Sequence, residues 1–356
     1  MSVANKLWLN SKQKIQFRTG WWGIVIVLGL LVVLLVPSLS RLSFNVWVGA
    51  IATGFCFSFV ALGVYITFNI LNYPDLTIDG SLPLGAAITA TMIAAGFNAY
   101  VTLPVAIMGG ALAGIATALI ATRLHIHSLL ASILTTTALI SINLRIMGRS
   151  NIPLLSHDTI FTPFYQPFKT LMRNWGGDEL GKLSKNLLVI LLVGLLVLVV
   201  KLLFDWFMHT ELGLAMRATG DNPQMVRALG TNTDKMAILG LAISNGLVAL
   251  SGAIMAQYQG FADINMGVGL IIAGLAAVIL GETFLKPKRI ATASAAVILG
   301  MLVYRIAIAM ALTASIPLPG GEVFRIEAQD VKLATAVLVL VALWFTNVHK
   351  NKGKVS

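Results

Sequence analysis

The chain has 356 residues, 57% hydrophobic and only 11% charged, with a net charge of +11 and a mean hydropathy of +0.87. Soluble domains carry roughly 25% charged residues, so this composition excludes an ordinary soluble fold and indicates an integral membrane protein. The Lys and Arg residues punctuate apolar runs instead of gathering on one polar face, which argues for membrane orientation and against a nucleic-acid partner.

In chain order, the runs apolar enough to cross about 30 Å of hydrocarbon are 21–38, 46–70, 82–96, 101–121, 129–147, 187–207, 236–256, 267–280, 290–312 and 331–344. The expected fold class is an all-α polytopic membrane protein of about ten transmembrane helices. The first run follows Lys6, Lys12, Lys14 and Arg18 and, with its Trp21–Trp22 pair, exceeds a signal-peptide core, so it reads as a span. The third and eighth runs are short. With both termini cytoplasmic, the inner side collects Arg123, Arg217, Arg227, Lys235, Lys286, Lys288, Arg289 and the basic tail. The short outer loops then hold only Arg41, Arg325 and Lys332. This bias predicts an N-in, C-in orientation. The segments are a basic N-terminus at 1–20, a first half at 21–147 and an extracytoplasmic loop at 148–186. A second half follows at 187–344, with a cytoplasmic loop at 209–235, and then a tail at 345–356.

Two stretches echo each other: "YPDLTIDGS" (73–81) and "FADINMGVG" (261–269). Each runs aromatic, small or Pro, Asp, aliphatic, polar, aliphatic and then a Gly-bearing turn, and each accompanies a short run. Five spans separate them, so the two copies have opposite orientation. Inverted repeats with Gly/Pro-interrupted segments in matching places flank the substrate route in transporters. On this reading the chain is two inverted five-helix repeats, and Asp75, Asp79 and Asp263 occupy hydrated or capping positions at helix breaks. The plainer alternative makes Asp75 and Asp79 surface loop residues, with Asp79 capping the third span.

The inner loop "HTELGLAMRATGDNPQMVRALG" (209–230) reads as a helix, a turn at "GDNP" and a shorter helix ending at glycine. An amphipathic basic helix–turn–helix suits docking to a soluble partner, or lies on the lipid surface as a connector. The pattern LGxxxRAxGxNPxxxxxxG over 212–230 resembles the cytoplasmic coupling segment of permease subunits from ATP-binding-cassette importers of the branched-chain amino acid and ribose type. "PDLTIDGSLPLGAA" (74–87) resembles the Asp-Leu-Ser/Thr-aliphatic motif of the same permeases, and "NLRIMGRSNIPLL" (143–155) the end of their fifth span. The similarity runs from residue 46 to residue 312 and is strongest to a subfamily proposed to import tryptophan and tyrosine.

That resemblance implies a multi-pass permease of the bacterial cytoplasmic membrane, paired as a homodimer in the lipid bilayer. It implies one cytosolic ATPase per protomer, which would bind the ATP and Mg, and an extracytoplasmic substrate-binding protein. By analogy, the ATPase contact is Glu211, Gly213, Arg217, Ala218, Gly220, Asn222, Pro223 and Gly230. The pathway motif falls on Asp75, Leu76, Thr77, Asp79 and Gly80, with Asp263 and Asn265 as the repeated counterpart. Sugar-importing members carry Gly where this chain has Asp79, which puts a sugar substrate in doubt; an aromatic or branched-chain amino acid suits the apolar pathway.

Other signals carry less. Gly176, Gly181 and Lys182 have phosphate-loop spacing, but Leu183 follows, so no ATPase chemistry and no cofactor is expected in this chain. Cys56 is the only cysteine, and His125 and His127 read as a solvated loop pair, so no metal site is expected. Arg145 either snorkels or serves function, and Arg305, deeper in its span, would pair with a buried carboxylate or meet a substrate carboxylate. No nucleophile-and-base arrangement suggests an enzyme. The remaining alternative to an ATP-driven permease is an ion-coupled secondary transporter of an amino acid or similar solute.

Overall fold

The computed structural model describes residues 44–313, 315–317, 323–325 and single positions at 330, 333, 336 and 340. Helix α1 (Phe44–Val64) runs on into a π-helical turn (Tyr65–Ile70), and an irregular stretch leads to α2 (Ile78–Ala94). Next come α3 (Ala99–Arg123), α4 (Ser128–Met147), a short strand β1 (Asn151–Pro153) and α5 (Thr162–Met208). Two small helices, α6 (Glu211–Asp221) and α7 (Pro223–Ala228), precede α8 (Thr233–Gln259). Then follow β2 (Phe261–Asp263), α9 (Leu270–Leu285), α10 (Ile290–Thr313) and the hairpin strands β3 (Ser315–Pro317) and β4 (Val323–Arg325).

Among the described residues, 6 helices are long and apolar enough to cross a membrane, while α2 and α9, of 17 and 16 residues, are the shorter apolar pair. These eight correspond to the second to ninth runs read from sequence, including both short ones. The first run (21–38) lies outside the described residues, as does the last (331–344) apart from single positions.

Local chemistry sets the ends. Asn98 accepts from the Tyr100 N–H to open α3, and the His127 ring accepts from the Leu129 N–H to open α4. Asn232 caps α8 through Asp234 and Lys235. Left-handed glycines Gly148 and Gly260 close α4 and α8. The segment expected as an extracytoplasmic loop is helical from Thr162 onward, bending at Gly176–Gly177, where the backbone leaves helical geometry. Tyr165 and Phe168 turn this helix onto the core while Phe164, Leu171 and Trp175 stay exposed. Pro163 sits in the first turn, where its missing N–H costs nothing.

The centre of the bundle is α8, packed along α1, α2 and α3, and α1 and α8 are the most buried of the long helices. In contrast, α3, α4 and α5 expose Val101, Met108, Leu112, Leu130, Leu134 and Leu195 outward, as lipid-facing helices do. Backbones approach closely where α2 crosses α8. A Cβ at Gly85 would overlap the Ala249 carbonyl, and one at Gly252 would overlap the Leu82 carbonyl. Hydroxyls lace α8 to α1: Ser251 donates to the Cys56 carbonyl at 2.7 Å and Ser244 to the Gly63 carbonyl at 2.8 Å. At the other side of the bundle, Asp205 of α5 pairs with Lys201 at 2.6 Å and accepts from Ser294 of α10 at 2.6 Å.

This crossing yields a stability prediction. Gly252→Leu forces α2 from α8 and destabilises the fold by about 1–3 kcal/mol, the usual cost of overpacking. Gly194→Ala is near neutral, because its Cβ would lie 3.8 Å from the Phe55 ring. Thermal unfolding of the detergent-solubilised variants separates the two; equal melting temperatures would contradict the packing described.

Candidate functional site

The site grows from the break between the π turn and α2. Asn72 takes a left-handed backbone (φ 54) and Pro74 has no N–H to donate, so the helix cannot continue. A non-helical backbone inside an apolar bundle requires protein partners for its polar groups, and they are supplied from three helices. Asp75 folds back so that its Oδ1 accepts from the Thr77 N–H at 2.9 Å. Its Oδ2 accepts from the Asn245 Nδ2 of α8 at 2.8 Å, and the Asn245 Oδ1 accepts from the Ser81 hydroxyl at 2.7 Å. Thr136 of α4 donates to the Leu76 carbonyl at 2.9 Å, and Asn143 donates to the Gly80 carbonyl at 3.2 Å. Thr77 and Thr117 of α3 share a hydroxyl contact of 2.8 Å. Asp75, Thr77, Ser81 and Asn245 are all fully buried.

Asp79 behaves differently. It does not cap its own helix: Thr77 stands at the N-cap of α2 and makes no side-chain cap. The Asp79 carboxylate instead accepts from the Gly269 N–H at 3.2 Å and the Ile271 N–H at 3.0 Å, at the start of α9. It thus sits on the positive end of a helix 190 residues away in sequence. Gly267 lies against the Asp79 carbonyl and Pro83, with no room for a Cβ. The two irregular stretches noted as an echo in the sequence therefore meet. The surface-loop alternative for Asp75 and Asp79 fails on this geometry.

The other expected pathway residues divide. Asp263 pairs in register with Asn151 across the β1–β2 ladder and its Oδ1 accepts from the Asn265 N–H at 2.7 Å; Asp263 is half-buried and Asn265 exposed. Arg305 is not brought to any of these carboxylates. Its guanidinium lies 3.7 Å from the centroid of the Phe57 ring, on the α10 side of α1. Its Nε is shielded from solvent and has no hydrogen-bond partner among the described residues. Arg145 is exposed in the last turn of α4, as snorkelling requires. Sequence reasoning took 236–256 only as an apolar run; the amide of Asn245 in the middle of it was the overlooked signal.

Helices α6 and α7 form the expected helix–turn–helix. Thr210 caps α6 by accepting from the Gly213 N–H, and Asn222 caps α7 by accepting from the Met225 N–H, with Pro223 in its first turn. One face of α6 looks into the bundle: Gly213 abuts the Phe207–Met208 backbone, Met216 is buried, and Gly220 lies on the Ile70 carbonyl that ends the π turn. Arg217 is half-buried. Glu211, Ala218, Asn222, Pro223 and Gly230 are exposed, alongside the apolar side chains of Leu212, Leu214, Met225 and Leu229.

Comparison with known proteins gives the family. A profile of the family described as branched-chain amino acid transport system / permease component matches residues 47–346. The chain is 37% identical over 292 residues to a tyrosine transport system permease protein of Clostridioides difficile (strain R20291), covering 82% of this chain and 88% of that protein. It is 36% identical over 221 residues to an uncharacterised protein of Rickettsia prowazekii (strain Madrid E), 62% of this chain and 71% of that one. An autoinducer 2 import system permease protein of Photorhabdus laumondii is 37% identical over 106 residues, 29% of this chain and 32% of its own length. The profile match takes in the break, the α8 amide that holds it, the junction with α9 and the α6–α7 segment. The chain belongs to the branched-chain amino acid transport permease family, and is a multi-pass membrane permease component of an ATP-binding-cassette transport system.

Proposed function

We propose that this chain forms the pathway subunit of an ATP-driven importer for an amino acid, aromatic ones first and branched-chain ones next. The observation that carries this reading is the meeting of two helix breaks inside an apolar bundle, with Asp79 of one accepting from the first N–H groups of α9 in the other. Two short helices that start beside each other, each after an interrupted segment, are what two inverted five-helix halves would bring to a shared axis. Asp75, Leu76, Thr77, Asp79 and Gly80 line the proposed route from one half, and Asp263 and Asn265 from the other. Hydrogen-bonded hinges of this kind open by exchanging partners, so a passing zwitterion can take the place of a backbone N–H or the Asn245 amide. Arg305 stands outside the route, because it stacks on the opposite face of α1.

The engine docks on α6 and α7. Four large apolar side chains exposed around polar caps suit a groove on a cytosolic ATPase, which binds ATP and Mg, better than they suit open solvent. Gly220 against Ile70 gives the docked segment a direct mechanical connection to the π turn and hence to Asp75. The β1–β2 end faces the substrate-binding protein in the proposed N-in, C-in orientation, and two copies of the chain pair in the membrane. The tyrosine transport system named for the Clostridioides difficile relative supports the aromatic solute class. Ion-coupled transport is disfavoured by the exposed docking segment, which such a transporter would not need.

Reconstitution tests the reading. Permease alone in proteoliposomes takes up nothing, whereas permease with its ATPase and binding protein takes up labelled tyrosine when ATP is supplied. Nucleotide-independent uptake by the isolated chain would refute it. Within the complete importer, Asp75→Asn keeps an oxygen to accept from Thr77 but turns an NH2 toward the Asn245 NH2, and lowers uptake at least about tenfold. Asn245→Leu also lowers the melting temperature, because one Asp75 oxygen is left buried without its donor, at a cost of about 1–3 kcal/mol.

Docking yields a separate expectation. Met225→Asp with Leu229→Asp abolishes co-purification of the ATPase and leaves the permease melting temperature unchanged, because both side chains are exposed. Gly220→Ala does the reverse: the ATPase stays bound while transport falls, since the added methyl group meets the Ile70 carbonyl. Retained ATPase binding in the double variant would remove α7 from the interface.

A further inference from the structure

A cleft of about 440 Å³ opens where the first break, the α3–α4 turn, α6, α7 and the start of α8 converge. That is within the size range of small-molecule sites. Its lining combines unlike chemistries. Tyr73, two residues before Asp75, lines the cleft, and behind that wall its hydroxyl is shielded from solvent and has no hydrogen-bond partner among the described residues. Buried hydroxyls without partners are rare in folded proteins and call for a ligand or an ordered water. Across the cleft, Arg227 donates from Nε to Thr233 and from Nη2 to Asp234 Oδ1 at 2.9 Å. The pair is largely exposed, so three guanidinium N–H groups and Asp234 Oδ2 face solvent and are open to a ligand. His125 lines the same space from the α3–α4 turn and holds a left-handed backbone (φ 54); Asn72, beside Tyr73, holds the same. Left-handed non-glycine residues cluster at functional sites more than elsewhere.

A neutral ion pair with spare donors and a spare acceptor matches a zwitterion, whose carboxylate takes the guanidinium and whose ammonium takes the Asp234 oxygen. The apolar wall at Leu71 accommodates a side chain, the exposed His125 ring can meet its polar tip, and a change of the Tyr73 rotamer would bring the orphan hydroxyl to the same tip. We propose that this cleft is a second binding site for a free α-amino acid, reached from the cytosolic side, at which the delivered solute slows its own import. The bound molecule would tie α7 to the first break and the α3–α4 turn, restraining the segment on which the ATPase acts. The ligand class and the orientation rest on the importer reading above.

The test uses the complete importer in proteoliposomes, with labelled tyrosine and binding protein outside and ATP trapped in the lumen. The lumen holds either 10 mM phenylalanine or, for osmotic balance, a sugar. Within each variant, the initial uptake rate with the loaded lumen is divided by the rate with the sugar-filled lumen. The wild-type ratio should fall at least about fivefold below one, in the range of ordinary allosteric couplings. Tyr73→Phe and Arg227→Ala should return it close to one, and because each ratio is internal, any change in basal rate cancels. A wild-type ratio near one overturns the proposal, as does inhibition that persists in both variants. If sugar-filled vesicles take up no amino acid at all, the importer reading falls and takes this ligand with it. That outcome is distinct from uptake that is merely insensitive to the lumen.

Discussion

The hydrogen bond between Asp75 and Asn245 joins residues 170 positions apart and holds an unwound strand of backbone inside a bundle built for lipid. Neither group is tolerable alone. A buried carboxylate without a partner is among the costliest features a fold can carry, and a buried amide has donors and an acceptor to satisfy. Together with Thr77 and Ser81 they close a small circuit in which each polar atom has a role. The circuit closes only because α2 and α8 approach at Gly85 and Gly252, where neither helix has a side chain to keep the other away. Close packing of small residues and a polar break are thus one design, the first making room for the second.

Asp79 extends that design to the other half of the chain. Its partners are backbone N–H groups at the opening of α9, groups that any helix leaves unsatisfied and that in hydrocarbon have no water to turn to. One carboxylate therefore resolves two problems, its own charge and the bare end of α9. It also fixes the relation of two interrupted segments, whose movement would have to break these same bonds. The α6–α7 segment connects to this centre from outside. Of its inward glycines, Gly220 lies on the end of the π turn and Gly213 on the end of α5, and its outward face is apolar in a place where nothing in the chain covers it among the described residues.

The sequence by itself determined the eight apolar helices among the described residues, and the reason is the solvent. A bilayer demands that each crossing satisfy its own backbone hydrogen bonds, so an apolar run of sufficient length has one accessible conformation, and hydropathy reads it directly. The turn at Asn222 was equally legible, and the ends at Asn98, Asn232 and Gly260 follow the same rule, because capping is chemistry between neighbours. The shortness of α2 and α9 and the helix–turn–helix at 211–228 belong to the same category.

What only the tertiary structure decided is where the polar residues find partners. Asp79 could have capped α2 by local rules, yet its acceptors' partners lie 190 and 192 residues away, on a helix whose position depends on the whole bundle. Arg305 read as a route residue from depth alone, and the rotation of α10 turned it onto Phe57. Gly213 and Gly220 matched a docking motif along with exposed neighbours, and the fold sorted them inward by the face of α6 on which they fall. Composition and periodicity record how a segment meets its solvent; which distant atom completes a buried group's hydrogen bonding depends on packing, and packing is a property of all the helices at once.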